Sequence, residues 1–262
     1  MSVSQSGFFE RSRVAFWRFR HRIKTRLAGS ITRLETTEKT VALTFDDGPH
    51  PAFTNRLLDV LQRHNAKATF FITGVQAERH PEIIERIKQS GHAIGCHSWD
   101  HPSFRLIGQR ARLQQISRWK TTLGDPQPRL FRPPFGHQTL ASYYLVRLLG
   151  YKIIMWSALA QDWLDHDADY LIERLENGLS PGAILLLHDN LYDLLDDRYL
   201  DRQPSIDAVE HVLKKHSGEY EFVTVPQLLL KKGKLQRKLL FGRPKPEFMS
   251  GLHPSSPYEE AR

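Results

Sequence analysis

The sequence contains a single cysteine, Cys96, and no long hydrophobic run. One cysteine excludes an intrachain disulfide, which is typical of proteins in a reducing compartment. The longest apolar runs, such as AILLLH, have the length of a strand and fall far short of the roughly 18 residues of a membrane-spanning helix. The N-terminus mixes basic and aromatic residues and lacks the apolar region of a signal peptide. We therefore expect a cytoplasmic protein.

Acidic residues are missing from two stretches near the ends of the chain, whose net charge is +8. Residues 11–26 contain seven Lys or Arg, and residues 231–245 contain seven more. Apolar residues recur at helical spacing within 8–27, so this segment is either an amphipathic helix in peripheral contact with an anionic membrane or a helix packed on the body of the protein. Nucleic-acid binding is a third interpretation, which we do not expect. The tail at 231–262 is predicted to be basic and partly disordered.

Between these ends, short apolar runs alternate with helical patterns, and the composition is that of a globular protein, with 40% hydrophobic and 25% charged residues. The chain thus divides into an N-terminal segment (1–36), a main domain (37–230) and a tail (231–262). Strands are predicted at 40–45, 67–72, 92–96, 129–131, 151–156, 183–187 and 221–225. Helices are predicted at 54–64, 77–90, 105–122, 138–149, 168–178, 204–216 and 226–232. Seven strand–helix units indicate a parallel α/β fold and favour a closed or nearly closed barrel over an open sheet.

Polar residues suited to chemistry follow the predicted strands, at the end of the barrel where active sites of such folds lie. The set comprises Asp46 and Asp47 in TFDDGPH, His97 and His101 in HSWDHP, Arg132 in RPPFG, Asp162 with Trp163, and His188 after three leucines. His97 and His101 are four residues apart, so on a helical turn both imidazoles could reach one metal. With a carboxylate they would form a two-His, one-carboxylate site for zinc, with Co, Ni, Mn or Fe as alternatives.

Each motif alone also has a purely structural explanation. Two adjacent acids after a strand often begin a turn, and an H-x-x-x-H spacing arises readily among 13 histidines. An arginine in a proline-rich loop is most often part of a surface ion pair, and a histidine after leucines is usually a hydrogen-bonded core residue. What favours a functional interpretation is that all of these residues follow a strand at the same end of the predicted barrel.

In this combination and order the motifs resemble those of the polysaccharide deacetylase family, over about residues 40–230. The resemblance implies a distorted (β/α)7 TIM-like barrel and a metal-dependent hydrolase that removes an N-acetyl group from an amino sugar. It implies that Asp47, His97 and His101 bind a divalent cation, that Asp46 is the general base, and that Arg132 pairs with Asp46. His188 would be the general acid, oriented by Asp162. Trp163 and Leu186 would line the acetyl pocket, and the backbone N–H of Phe135 would stabilise the oxyanion.

The chain departs from the family pattern near this pocket. Leu159 and Gln161 stand where the family has an Asp and an Arg, and Phe135 replaces a Tyr. These changes put the sugar specificity in question more than the hydrolysis. Two alternatives therefore stay open, a deformylase or amidase acting on a lipid-linked sugar or a small non-sugar amide, and a non-catalytic carbohydrate-binding protein. A complete set of proton-transfer residues argues against the second.

Overall fold

The computed structural model describes residues 29–192 and 200–238, where strands and helices alternate along the chain. The strands are β1 (Ser30–Glu35), β2 (Thr40–Asp46), β3 (Ala68–Ile72), β4 (Ala93–Cys96), β5 (Leu130–Phe131), β6 (Lys152–Ile153), β7 (Ala158–Leu159), β8 (Ile184–His188), β9 (Glu221–Phe222) and β10 (Lys234–Lys238). The helices are α1 (Phe53–Arg63), α2 (Gly74–Arg79), α3 (Pro81–Gln89), α4 (Gln109–Leu123), α5 (Leu140–Leu148), α6 (Ala168–Gly178), α7 (Gln203–His216) and α8 (Val225–Leu228), with a 3-10 turn at Pro134–Gly136.

Seven parallel strands form one curled sheet in the order β6-β5-β4-β3-β2-β8-β7, and the end strands β6 and β7 are not paired with each other. The central strand β2 is buried along its whole length, as expected for a strand covered on both faces. The predicted α/β fold, a distorted and nearly closed (β/α)7 barrel, is confirmed. The β2–β8 register places Asp46 opposite His188, so two candidate site residues end neighbouring strands.

Alternation along β2 divides the core into two parts. Val41, Leu43 and Phe45 face outward and pack in the cluster that includes the buried face of α1. Ala42 faces inward and joins a second cluster with residues of β1, including Ile31. This second cluster places apolar side chains in the barrel interior, below the polar residues at the C-terminal ends of the strands.

Strands β1 and β10 form a two-stranded antiparallel sheet outside the parallel sheet. Ile31 of β1 bridges to Ile154 and Arg33 to Ala183, so β1 contacts the chain just after β6 and just before β8. Both strands fall in ranges that the sequence assigned to the N-terminal segment and the tail. The division at residues 36 and 231 stays a prediction, because most of 1–36 and 231–262 lies outside the described residues.

The strand expected at 151–156 is limited to β6 and the helix expected at 226–232 to α8, and two further predictions differ more from the structure. The strand expected at 221–225 is limited to β9, which pairs with the start of β2, whereas the seventh strand of the curled sheet is β7, which the sequence pattern did not reveal. The helix expected at 77–90 is two helices, α2 and α3, with Pro81 as the first residue of the second. Proline lacks the N–H that would continue the first helix, so α2 ends before it.

No helix between residues 29 and 192 or between 200 and 238 has the length and apolar character needed to cross a membrane. The amphipathic helix predicted at 8–27, and with it the membrane contact, lies outside the described residues.

Candidate metal centre and active site

The turn after β2 gives its two acids different positions. Asp46 is the last residue of the strand, whereas Asp47 has φ 73°, in the left-handed region, and its carbonyl accepts a hydrogen bond of 3.2 Å from the Thr73 hydroxyl. Gly48 comes next, and a Cβ added there would lie 2.2 Å from Oδ2 of Asp189. Only glycine fits this close approach, so the glycine of T-F-D-D-G is explained by the packing of the turn after β2 against the residue that follows β8.

Asp47, His97 and His101 form a buried cluster whose ligand atoms all lie within 4.8 Å of one another. Oδ1 of Asp47 is 3.3 Å from Nε2 of His97 and 3.1 Å from Nε2 of His101. The prediction that these three side chains converge is confirmed, but the helical turn expected between the histidines is wrong. Residues 97–101 are a loop with positive φ at Ser98 (68°) and His101 (61°), and this loop brings the imidazoles together.

The cluster has the donor arrangement of a cation site. Nδ1 of His97 is 2.8 Å from the Arg132 carbonyl, which can only accept, so Nδ1 is the donor there and Nε2 is the ring nitrogen that faces Asp47. Within the described chain, no hydrogen bond of proper geometry reaches the buried Oδ1 of Asp47. Burial raises the pKa of Asp47, but a charged His101 and contacts from both imidazoles outweigh burial and hold that pKa well below its usual range. These three residues fit a divalent cation with N and O ligands.

Asp46 belongs to a separate network under Arg132, whose side chain is fully buried. One guanidinium nitrogen donates to Oδ1 of Asp46 at 2.6 Å and to the Thr44 hydroxyl at 2.8 Å. The other two donate to the carbonyls of Ile154 and Met155, at 3.2 and 3.1 Å. Burial lowers the pKa of Arg132 and the Asp46 carboxylate opposes that shift. The predicted Arg132–Asp46 pair is therefore present, and it fixes Asp46 in one orientation.

His188 and Asp162 form a second pair on the other side of the cluster. Nδ1 of His188 lies 2.9 Å from Oδ1 of Asp162, and the backbone N–H of His188 donates to Oδ2 at 2.8 Å. Burial lowers the pKa of His188, but the Asp162 carboxylate outweighs burial and raises that pKa above its ordinary value. The bond at Nδ1 leaves Nε2 as the ring nitrogen available to a ligand.

The three predicted pocket residues lie around these groups. The Trp163 ring stands edge-on to the His188 ring with 5.6 Å between centroids. Leu186 is buried on β8 two residues before His188, so both side chains are on the same face of that strand. Phe135 has φ 57°, and its ring centroid is 4.5 Å from that of His101. The structure thus brings every predicted site residue to one end of the barrel.

Sequence reasoning missed several residues that support the site. Tyr192 donates its backbone N–H to Oδ2 of Asp47 at 3.1 Å. The Thr54 hydroxyl donates to Oδ2 of Asp189 at 2.5 Å, and burial raises the pKa of Asp189 to about 7. Asp189 could have been found from the sequence, because it directly follows His188 at the end of a motif. Thr54 and Tyr192 have no signal in the sequence, because their contacts span more than a hundred residues.

Comparison with known proteins agrees with this geometry. Residues 33–154 match the profile of the family described as polysaccharide deacetylase. The chain is 35% identical over 195 residues to the peptidoglycan-N-acetylglucosamine deacetylase PgdA of Listeria monocytogenes, covering 73% of this chain and 39% of PgdA. It is 34% identical over 165 residues to a chitooligosaccharide deacetylase of Azorhizobium caulinodans, covering 62% of this chain and 79% of the relative.

Among solved structures, the peptidoglycan N-acetylglucosamine deacetylase Bc1960, in complex with 4-naphthalen-1-yl-N-oxidanyl-benzamide, superposes with a TM-score of 0.72. The two are 29% identical, and the match covers 80% of this chain and 97% of Bc1960. The chain spans about two fifths of the length of the first curated relatives that it matches. By sequence, fold and arrangement of the site, the chain belongs to the polysaccharide deacetylase family.

Proposed function

We propose that this protein is a metal-dependent hydrolase that removes the N-acetyl group from an amino sugar of a peptidoglycan-type or chitin-type glycan. One observation carries the proposal. The buried Oδ1 of Asp47 faces two imidazoles, with the Asp46–Arg132 pair and the Asp162–His188 pair around it. A proton acceptor and a proton donor beside a cation site are what amide hydrolysis requires.

Asp47, His97 and His101 would hold the divalent cation, with zinc as the first candidate and Co²⁺, Ni²⁺ or Mn²⁺ as alternatives, because imidazole and carboxylate donors suit all four. When bound, such a cation supplies Lewis acidity, which polarises a carbonyl oxygen and makes water a stronger acid.

The remaining residues divide the proton transfers between them. Asp46, held by Arg132, takes a proton from the attacking water, whose oxygen adds to the amide carbonyl carbon. His188, oriented by Asp162 through Nδ1, gives a proton from Nε2 to the amide nitrogen as the C–N bond breaks. The products are acetate and the free amine of the sugar. The two adjacent acids therefore have different roles, since Asp47 holds the cation and Asp46 moves a proton.

The pocket residues set the size of the acyl group. Trp163 and Leu186 stand next to His188 and would enclose the acetyl methyl, and the backbone N–H of Phe135 would donate to the developing oxyanion. Phe135, Leu159 and Gln161 keep a formyl or non-sugar amide substrate as the second candidate, because these residues alter the wall of the groove while the acid, the base and the cation ligands are retained.

A substrate panel tests the proposal. N-acetylated and N-formylated sugars, as chitooligosaccharides, peptidoglycan fragments and lipid-linked forms, are incubated with the full chain in zinc or cobalt. We expect acetate release from an N-acetylated glycan. Release of formate alone would assign the chain to the deformylase alternative, and glycan binding without any product would assign it to the carbohydrate-binding alternative. A cytoplasmic location stays a prediction. Contact of residues 8–27 with an anionic membrane also stays a prediction, since these residues lie outside the described part of the chain.

A further inference from the structure

Asp162 accepts hydrogen bonds from two residues besides His188. Its carboxylate is buried, and besides the two hydrogen bonds with His188, Oδ2 accepts one of 3.2 Å from the Ser205 hydroxyl. Its backbone carbonyl accepts a hydrogen bond from the Arg202 guanidinium. Both donors belong to the start of α7, about 40 residues further along the chain, so this end of α7 holds both the backbone and the carboxylate of Asp162.

Arg202 is an unusual residue for a purely structural position. Its side chain is buried, with a residue exposure of 4%, and a guanidinium in such surroundings is costly unless acidic groups compensate for its charge. Burial lowers the pKa of Arg202, whereas the carboxylates of Asp162, Asp201 and Asp47 raise it. The cation thus lies in the field of the site's own acids, and it provides positive charge beside Asp162.

The residue directly before Asp162 provides no such charge. Gln161 has φ 63°, and its Oε1 accepts a hydrogen bond of 2.9 Å from the Tyr170 hydroxyl. Gln161 is therefore engaged by a neighbour in α6 and adds no cation near the carboxylate. Arg202 therefore supplies, beside Asp162, positive charge that the residue at position 161 does not.

We infer that Arg202 and Ser205 are positioning residues for the proposed reaction, fixing the Asp162 carboxylate so that Oδ1 meets Nδ1 of His188. The inference rests on the proposed function for its kinetic readout. Arg202 holds the backbone of Asp162 and Ser205 holds Oδ2, so together they restrain the two ends of the residue that orients the proton donor. Neither side chain needs to touch the substrate.

The test compares Arg202→Gln and Ser205→Ala with Arg112→Gln in the full chain with zinc. Arg112 is a matched control, because it is also a buried arginine that donates to a backbone carbonyl, that of Phe104 at 2.8 Å, and it lies in α4 outside the site. We expect Arg202→Gln to lower kcat by roughly 10- to 100-fold, the range for loss of an orienting group, with KM and zinc content unchanged. Arg112→Gln should lower only the melting temperature.

Rescue by the conservative variant separates positioning from general packing. Arg202→Lys keeps a cationic donor for the Asp162 carbonyl, and we expect it to retain most of the parental kcat. Unchanged kcat in folded Arg202→Gln and Ser205→Ala, or a kcat loss equal to that of Arg112→Gln, would overturn the inference. So would an Arg202→Lys variant that is no more active than Arg202→Gln.

A spectroscopic readout makes the inference independent of turnover. The proton NMR resonance of the His188 Nδ1–H, assigned by its loss in His188→Gln, should be present in the parent and in Arg112→Gln and should weaken or disappear in Arg202→Gln. Its persistence in Arg202→Gln would contradict the inference even if no substrate is turned over. Absence of activity in the parent, by contrast, would count against the proposed function alone.

Discussion

Nε2 of His97 and Oδ1 of Asp47 face each other across 3.3 Å in a buried site, while Nδ1 of the same imidazole is bonded to the Arg132 carbonyl. His101 adds a second ring nitrogen at 3.1 Å from that oxygen. A divalent cation would be held by all three side chains at once, so folding and metal binding should be coupled.

The first prediction concerns this coupling. Zinc should raise the melting temperature of the parent, because a ligand at 100 times its Kd stabilises the folded state by about 2.7 kcal/mol. His101→Ala should lose most of this zinc-dependent shift. His92→Gln is the control, since His92 is also buried but accepts a structural hydrogen bond from the Ala68 N–H at 3.1 Å. An equal zinc shift in His101→Ala and the parent would contradict the assignment of His101 as a ligand.

The second prediction concerns the base. Asp46→Asn keeps the shape of the side chain and removes its ability to take a proton, so we expect kcat for acetate release to fall by about 100-fold or more. Zinc content should stay at the parental value, because Asp47 holds the cation. Asp59→Asn, at an exposed acid of α1, should leave kcat unchanged. If Asp46→Asn released acetate with the kcat of the parent, Asp46 would not be the general base.

The third prediction concerns the stability that depends on Arg132. Arg132→Met leaves the buried Asp46 carboxylate without its cation and should lower the free energy of unfolding by about 3–5 kcal/mol in urea titrations. The partly exposed Arg129–Asp125 pair is the comparison, and Arg129→Met should lower the free energy of unfolding far less, because water screens an exposed pair. If both variants lose the same free energy of unfolding, the buried Asp46–Arg132 pair stabilises the fold no more than an exposed pair does.

The fourth prediction concerns pH. Burial raises the pKa of Asp189 to about 7 in the folded protein, from an unfolded value of about 3.9, so between these values the folded state holds a proton that the unfolded state has lost. This contribution to stability is complete below the unfolded pKa and is lost as the pH rises through 7. With a chelator present, Asp189 should therefore make the unfolding free energy of the parent fall by about 1.4 kcal/mol per pH unit between these two pKa values.

Asp189→Asn carries no titrating proton and still accepts from Thr54, so its unfolding free energy should fall less steeply than that of the parent between pH 4 and 7. Urea midpoints at four pH values measure the difference between the two slopes. Parallel slopes would show that Asp189 is charged throughout this range.

Much of the fold and of the site follows from the sequence, for physical reasons. The buried run of β2 and the acids at its end mark a central parallel strand, and strand tips in such sheets converge wherever they lie in the chain. Strand β7 was missed because its two residues, Ala158 and Leu159, are not β-branched and lie outside any apolar run like the one that marks β6. Strands β1 and β10 were missed because their pairing joins residues about 200 positions apart.

In the site, sequence motifs identify the groups that meet the substrate or the cation and their direct partners Arg132 and Asp162, but not the residues that support those partners. His97 and His101 were found, but the spacing of four suggested a helix where the chain forms a loop with two residues at positive φ. Arg202 could not be found, because nothing local links it to Asp162 and only the packing of α7 brings the two together.

The most direct test is a crystal structure of the full chain grown with zinc, with data collected on both sides of the zinc absorption edge. The account predicts one anomalous peak per chain, about 2.0–2.2 Å from Oδ1 or Oδ2 of Asp47 and from Nε2 of His97 and His101. No peak at these three side chains, or a zinc ion bound elsewhere while their atoms contact only one another, would contradict it.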